Sequence, residues 1–174
     1  MMIMKQSKRR VNQVWVALAC VSLLVAMLLC GCGGNNTESN GSSKGYVFTL
    51  KDLDLYIGQS LDIMGAYGTP VGYDESEACG GIAGKDCVYV YSGVTIKTTP
   101  AEGGQNVICM IELTDDSYKT NQGVTIGSTA DEVKDKMGDP GTETDTALTY
   151  VKDNMKLVFI LRNGLVTNIQ YQPK

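Results

Sequence analysis

Histidine is absent from all 174 residues. That absence excludes Ser-His-Asp and Cys-His nucleophilic catalysis and every zinc site that needs an imidazole. No Asp-x-Asp-x-Asp-Gly loop occurs either, which disfavours calcium. Positive charge is scarce beyond the N-terminus: residues 32–174 hold eleven Lys and Arg against nineteen Asp and Glu, a net charge of −8. Such a balance argues against nucleic acid or anionic lipid headgroups as direct partners. No cofactor and no metal is expected.

What is there begins with an address. Lys5, Lys8, Arg9 and Arg10 precede an apolar run from Val11 to Leu29. A basic tip, an apolar stretch and then small residues is the order of a secretory signal. At 19 residues the run is also long enough to span a bilayer uncleaved. The tetrad "LCGC", Leu29 to Cys32, decides between these, because it resembles the lipobox of bacterial lipoproteins. That resemblance implies cleavage after Gly31 and a diacylglyceryl group on the thiol of Cys32. Cys20 and Cys30 then leave with the signal, residues 1–31. Two acyl chains give stable membrane attachment where one does not. The next stretch, "GGNNTESNGSSKG", has no apolar side chain, so residues 32–45 are expected to be a lipidated cysteine and a flexible tether with a reach of about 20 Å. Asn35 and Asn40 match the Asn-x-Ser/Thr pattern, but in this setting they read as ordinary linker residues. The protein is therefore expected outside the cytoplasm, held to a bacterial membrane by its N-terminal lipid.

Three further cysteines follow. "ACGGIAGKDC" puts Cys79 and Cys87 at the two ends of a glycine-rich loop, and in an oxidising compartment a disulfide between them is expected. Cys109, in the strand-like run "VICMIEL", reads as a small buried hydrophobe.

"YIGQSLDIMGAYGTP" at 56–70 and "TIGSTADEVKDKMGDP" at 125–140 share one form: an apolar residue, Gly, a polar residue, Ser or Thr, a short helical pattern, then Gly-x-Pro. In the second, Thr129 is a good N-cap and Glu132 completes a capping box. Ala130, Val133 and Met137 then share a face, and Gly138 with Pro140 ends the helix. In the first, Ser60 is the expected cap, with Leu61, Met64 and Tyr67 on the buried side. Alternating runs come after each: "CVYVY", "VTIKT" and "VICMIEL", then "ALTYV", "MKLVFIL" and "LVTNIQY". The expected fold is α+β, two tandem helix-plus-antiparallel-sheet repeats, residues 46–120 and 121–174, packed as one body because either alone buries a marginal core.

Asn163-Gly164 marks a hairpin turn. A three-residue loop, Arg162 to Gly164, pairs Leu161 with Leu165 and puts Met155, Leu157, Phe159, Leu161, Leu165, Ile169 and Tyr171 on one face. Gly164 would then occupy a left-handed bulge position. The same reasoning gives Val107, Cys109, Ile111 and Leu113 as the inner face of the corresponding earlier strand. The opposite face carries Val88, Val90, Ile108 and Met110 in the first half and Val158, Ile160 and Val166 in the second. An apolar sheet face of this kind marks a partner-binding surface, unless "YVFTL", Tyr46–Leu50, or a loop covers it.

"IGSTADEVKDKMGDP" followed by a hairpin resembles the small lipoprotein unit of the outer-membrane assembly component SmpA/OmlA (BamE). Two such units in tandem resemble the β-lactamase-inhibitor-protein-like fold. The likeness covers residues 123–172 and, more loosely, 55–113. It implies a binding protein without catalysis, whose sheet or loops meet a partner protein in the cell envelope. No contact residue of the inhibitors has a counterpart here, so inhibition itself is not implied. A lipid-anchored interaction or envelope-assembly module is thus the leading expectation. The rival classes are a small-ligand-binding lipoprotein and a cell-envelope hydrolase using carboxylates such as Asp115, Asp116 and Asp135. Glycan cleavage would need two of them across a cleft.

Overall fold

The alternating runs between residues 85 and 173 all become strands, and they join a single sheet. The computed structural model describes residues 44–79 and 81–174. In chain order the elements are β1 (Phe48–Leu50), β2 (Leu53–Leu55), α1 (Ile63–Tyr67), β3 (Gly72–Glu77), β4 (Lys85–Tyr91), β5 (Val94–Pro100), β6 (Asn106–Leu113), α2 (Ala130–Met137), β7 (Thr142–Thr144), β8 (Ala147–Lys152), β9 (Met155–Arg162) and β10 (Leu165–Pro173). β1 and β2 form a small hairpin sheet; the other eight strands follow the order β3-β4-β5-β6-β10-β9-β8-β7, with antiparallel pairing throughout.

This architecture corrects the expected α+β fold of two helix-plus-sheet repeats. Among the described residues the protein is mostly β, with two short helices of five and eight residues and one large sheet in place of two helix-plus-sheet repeats. The reason is the β6–β10 pairing. Ile169 faces Leu113, Gln170 faces Glu112 and Tyr171 faces Ile111, so the halves share a hydrogen-bonded ladder. β3 and β7 were not expected as strands either; their sequences, "GYDESE" and "TET", lack the apolar alternation that identifies a strand.

The second helix forms as its caps require. The Thr129 hydroxyl accepts the Glu132 amide at 3.1 Å, and the Glu132 carboxylate accepts the Thr129 amide at 2.8 Å. Val133 is fully buried, with Ala130 and Met137 packed beside it. The first helix is capped by Asp62 instead of Ser60, its carboxylate accepting the Gly65 amide at 3.0 Å. That shift makes Ile63 and Tyr67 the buried positions and leaves Met64 exposed. The Ser60 hydroxyl bonds to the Gln105 side chain.

Two β-bulges set the faces of the sheet. Thr98 pairs with Ile108 and Lys97 with Met110, so Cys109 is an extra residue in β6. Leu161 pairs with Val166 and Ile160 with Asn168, so Thr167 is an extra residue in β10. A bulge lets residues three apart share a face. Ile108 joins Ile111 and Leu113 in the core, and Val166 joins Ile169 and Tyr171. The turn at Asn163 (φ 53°) and Gly164 (φ 76°) is a two-residue type I′ connection, which the left-handed tolerance of both residues permits. The three-residue loop is thereby corrected: Leu165 is 44 % exposed, and Val166 is buried in its place.

The motif glycines explain where the bulges fall. Gly58 donates to the Ile108 carbonyl and accepts nothing in return; Ile108 donates instead to the Gln59 carbonyl, at 2.8 and 2.9 Å. Gly127 and Ser128 make the same exchange with Val166, both at 2.8 Å. Each loop thus pairs with the strand residue just before the bulge, and the glycines adopt φ of 85° and 90° to do so.

One face of the sheet is packed. Phe48, Leu50 and Leu55 of the β1–β2 hairpin, Ile63 and Tyr67, Val124 and Val133 lie with the sheet side chains in one buried cluster. Phe48 meets Tyr118 edge-to-face and Tyr171 at a tilt, with centroids 6.0 and 5.8 Å apart. Each fully buried side chain of this size contributes about 1.5–3 kcal/mol. The "YVFTL" segment therefore covers the face that carries Tyr171, and not the opposite one.

Candidate functional site

The opposite face is where the alternation left apolar residues without a partner. Direct pairing places Val90 beside Thr95, Thr95 beside Glu112, Glu112 beside Gln170, Gln170 beside Val158 and Val158 beside Thr149. This row continues to Gly72 on β3 and Thr142 on β7, so it crosses all eight strands. Seven inter-strand steps of about 4.8 Å give it a width of about 34 Å. The adjoining positions add Val88, Lys97 and Met110 on one side and Ile160 with Ala147 on the other.

The face has two apolar wings and a polar seam. Val88, Val90 and Met110 form one wing, with Lys97 standing between Val88 and Met110, and Val158, Ile160 and Ala147 form the other. Val90 is 37 % exposed and Val158 8 %; Val88, Met110, Ile160 and Ala147 are half-buried. Between them, the Glu112 carboxylate accepts hydrogen bonds from the Asn168 amide at 2.9 Å and the Gln170 amide at 3.2 Å. The Asn168 carbonyl oxygen is buried with no hydrogen-bond partner among the described residues. Five of the seven expected surface residues, Val88, Val90, Met110, Val158 and Ile160, therefore share this face. Ile108 and Val166, each 1 % exposed, do not; the bulges at Cys109 and Thr167 turn them into the core. The seam of Glu112, Asn168 and Gln170 is missed by apolar alternation, although polar residues at the centre of two apolar strands are themselves a signal.

Cys79 and Cys87 are both free thiols here. The residue opposite Cys87 in the β3–β4 ladder is Glu75. Cys79 lies four positions further along, about 13 Å at strand spacing, whereas a disulfide needs Cα atoms about 4.4–6.8 Å apart. Proximity in sequence around a glycine loop did not translate into proximity across the hairpin. Cys87 is buried, with the Tyr73 hydroxyl and the Asn106 amide each 3.6 Å from its sulfur. The Tyr73 hydroxyl also donates to Glu75, which pairs with Lys85. The bond to Cys87 and the bond to Glu75 both push the Tyr73 hydroxyl pKa up, while Lys85 holds Glu75 below the usual carboxylate range. The Cys109 thiol donates to the Lys97 carbonyl at 3.4 Å, and burial pushes its pKa up.

The carboxylates of the hydrolase reading have local structural partners or none. Asp115 accepts the Ser117 amide at 2.9 Å in a turn after β6, and Asp116 and Asp135 are exposed. An open cleft of about 660 Å³ lies over residues 117–123 and Thr49; its walls are polar loop residues. Among the described residues, no helix is long and apolar enough to cross a membrane. The expected lipidation site, Cys32, with the signal and most of the tether, lies outside the described residues. Comparison of the chain with protein-family models, with curated proteins and with solved structures finds no match.

Proposed function

We propose that this protein is a non-catalytic, lipid-anchored interaction module outside the cytoplasm, and that it meets a protein partner of the cell envelope through the open face of its eight-stranded sheet. The observation that carries this reading is the pair of apolar wings around the Glu112 seam. None of the wing residues belongs to the buried cluster, and the β1–β2 hairpin packs on the other side of the sheet. Apolar wings would supply the desolvation energy of an interface, and the hydrogen-bonded seam would fix its register. The likeness of "IGSTADEVKDKMGDP" to the small outer-membrane assembly lipoproteins, and of two such units to β-lactamase-inhibitor-like proteins, points toward the same class of function. Anchoring through an acylated Cys32 would keep the module at the bilayer surface.

The test places a charge on each wing. Met110→Asp and Ile160→Asp should abolish capture of the partner from envelope extract while leaving the melting temperature within about 3 °C of wild type, since both residues are only half-buried and lie outside the buried cluster. Phe159→Asp, at 0 % exposure on the packed face, should unfold the body because it buries an unpaired charge. Undiminished capture by two well-folded wing variants would overturn the proposal.

A further inference from the structure

Residues 44–174 are acidic as a whole, with eleven basic side chains against eighteen acidic. The positive charge is nevertheless concentrated where the chain enters the body. Gly45 (φ 61°) lies against the Met155 side chain, and a Cβ built on it would stand 3.2 Å from the Lys152 carbonyl. The Tyr46 amide donates to the Met155 sulfur at 2.9 Å. Lys152 reaches over the Tyr46 ring at 5.9 Å, and Lys44 over the Tyr56 ring at 5.0 Å. The Lys174 amide donates to the Asn154 carbonyl at 3.0 Å, and Lys156 stands opposite Gln172. Residues 44, 152–156 and 172–174 therefore carry four lysines and one acidic side chain, Asp153; the remainder carries seven basic against seventeen acidic. The two ion pairs found among the described residues use Lys85 and Lys134. The four ammonium groups thus have no carboxylate partner there, and Lys44, Lys152 and Lys174 are exposed.

We infer that this rim of Lys44, Lys152, Lys156 and Lys174 at one end of the sheet, with Lys152 on its packed side and Lys156 on its open side, is a landing patch for the anionic headgroups of the bilayer in which the protein is anchored. The inference rests on lipidation of Cys32. Twelve residue steps separate Cys32 from Lys44, so at about 3.6 Å each the patch can never lie more than about 43 Å from the lipid. Screening limits electrostatic contact to about 8 Å at physiological ionic strength, so the acidic bulk and the basic patch respond to a negative surface separately. The acidic bulk is repelled and the patch attracted, which selects one orientation. Four lysines alone would not hold a protein of this net charge on a membrane. An anchor makes their encounter with headgroups intramolecular, and a weak attraction then suffices.

The experiment reconstitutes the full lipoprotein into vesicles of phosphatidylcholine alone, or with about one third phosphatidylglycerol. Lysine acetylation by a soluble reagent is then read by mass spectrometry. Flotation with the neutral vesicles reports the anchor. Labelling at Lys44, Lys152, Lys156 and Lys174 should fall about threefold or more in the anionic vesicles and recover in about 0.5 M salt, while Lys97 and Lys119 label alike in both. Lys152→Gln with Lys156→Gln should remove the protection at Lys44 and Lys174. Protein that floats with neutral vesicles but labels identically in both compositions would overturn the patch and spare the anchor. Failure to float with neutral vesicles would overturn the anchor and the patch together.

Discussion

Leu165 and Val166 are adjacent, and the bulge at Thr167 reverses the roles that simple alternation gives them. Val166 is 1 % exposed in the core cluster; Leu165 is 44 % exposed. Replacing Val166 with Ala removes two carbon groups at about 0.8 kcal/mol each and leaves a small cavity, a loss of about 2 kcal/mol. Replacing Leu165 with Ala removes three carbons, but from a side chain that is 44 % exposed and leaves no cavity, so the loss is about 1.3 kcal/mol. At this size about 4 °C of melting temperature corresponds to each kcal/mol. Val166→Ala should therefore melt about 8 °C below wild type and Leu165→Ala about 5 °C below, measured by far-UV circular dichroism on the detergent-solubilised protein. The smaller truncation is the more damaging one. Deleting Thr167 should cost less than deleting any paired residue of β10, since Leu161–Val166 and Ile160–Asn168 then become consecutive pairs and Ile169 and Tyr171 keep their face. A larger loss for Leu165→Ala than for Val166→Ala would refute the bulged register.

Three other outcomes follow from the burial of particular groups. The Tyr171 hydroxyl is buried without a hydrogen-bond partner and burial pushes its pKa up; Tyr171→Phe should thus keep or raise stability by about 1 kcal/mol in thermal melts at neutral pH. Because the folded protein holds that proton above pH 10 where the unfolded chain releases it, wild-type stability falls as pH rises past 10, and Tyr171→Phe should flatten the fall by one proton, about 1.4 kcal/mol per pH unit. Under native, non-reducing conditions iodoacetamide should label exposed Cys79 quickly, and Cys87 and Cys109 only on unfolding; an intact mass showing Cys79 and Cys87 already joined would contradict the hairpin geometry.

Local chemistry was legible in the sequence wherever it is enforced locally. Thr129, Glu132 and Gly138 delimit a helix because capping groups and a left-handed glycine act within one turn. Asn163-Gly164 marks a turn for the same reason. The bulges were not legible, because Cys109 and Thr167 are ordinary strand residues; what makes each an insertion is a loop from 50 or 39 residues earlier, Gln59 or Ser128, bonded to the preceding position. Alternation therefore placed Met110, Ile160, Val88, Val90 and Val158 correctly and failed at Ile108 and Val166, the residues on the far side of each insertion. The joining of the halves through β6 and β10 was invisible for a related reason. Periodicity says which face of a strand is apolar, and nothing about which neighbour its edge will find.

The positions of the bulges bear on the open face. A bulge sharpens the local right-handed twist of its strand. Both fall on β6 and β10, the two central strands, so added twist is concentrated at the junction of the halves. Glu112, Asn168 and Gln170 lie on those same strands, and their hydrogen bonds cross from β10 to β6 on the open side. The seam is thus the line about which the two apolar wings are inclined, held on one side by Glu112 and its amides and on the other by the packing of Ile111, Ile169 and Tyr171. Replacing Glu112 with an apolar residue would strand the two amides without their acceptor, while leaving both wings in place. Its effect on partner capture would then report the angle between the wings separately from their apolar area.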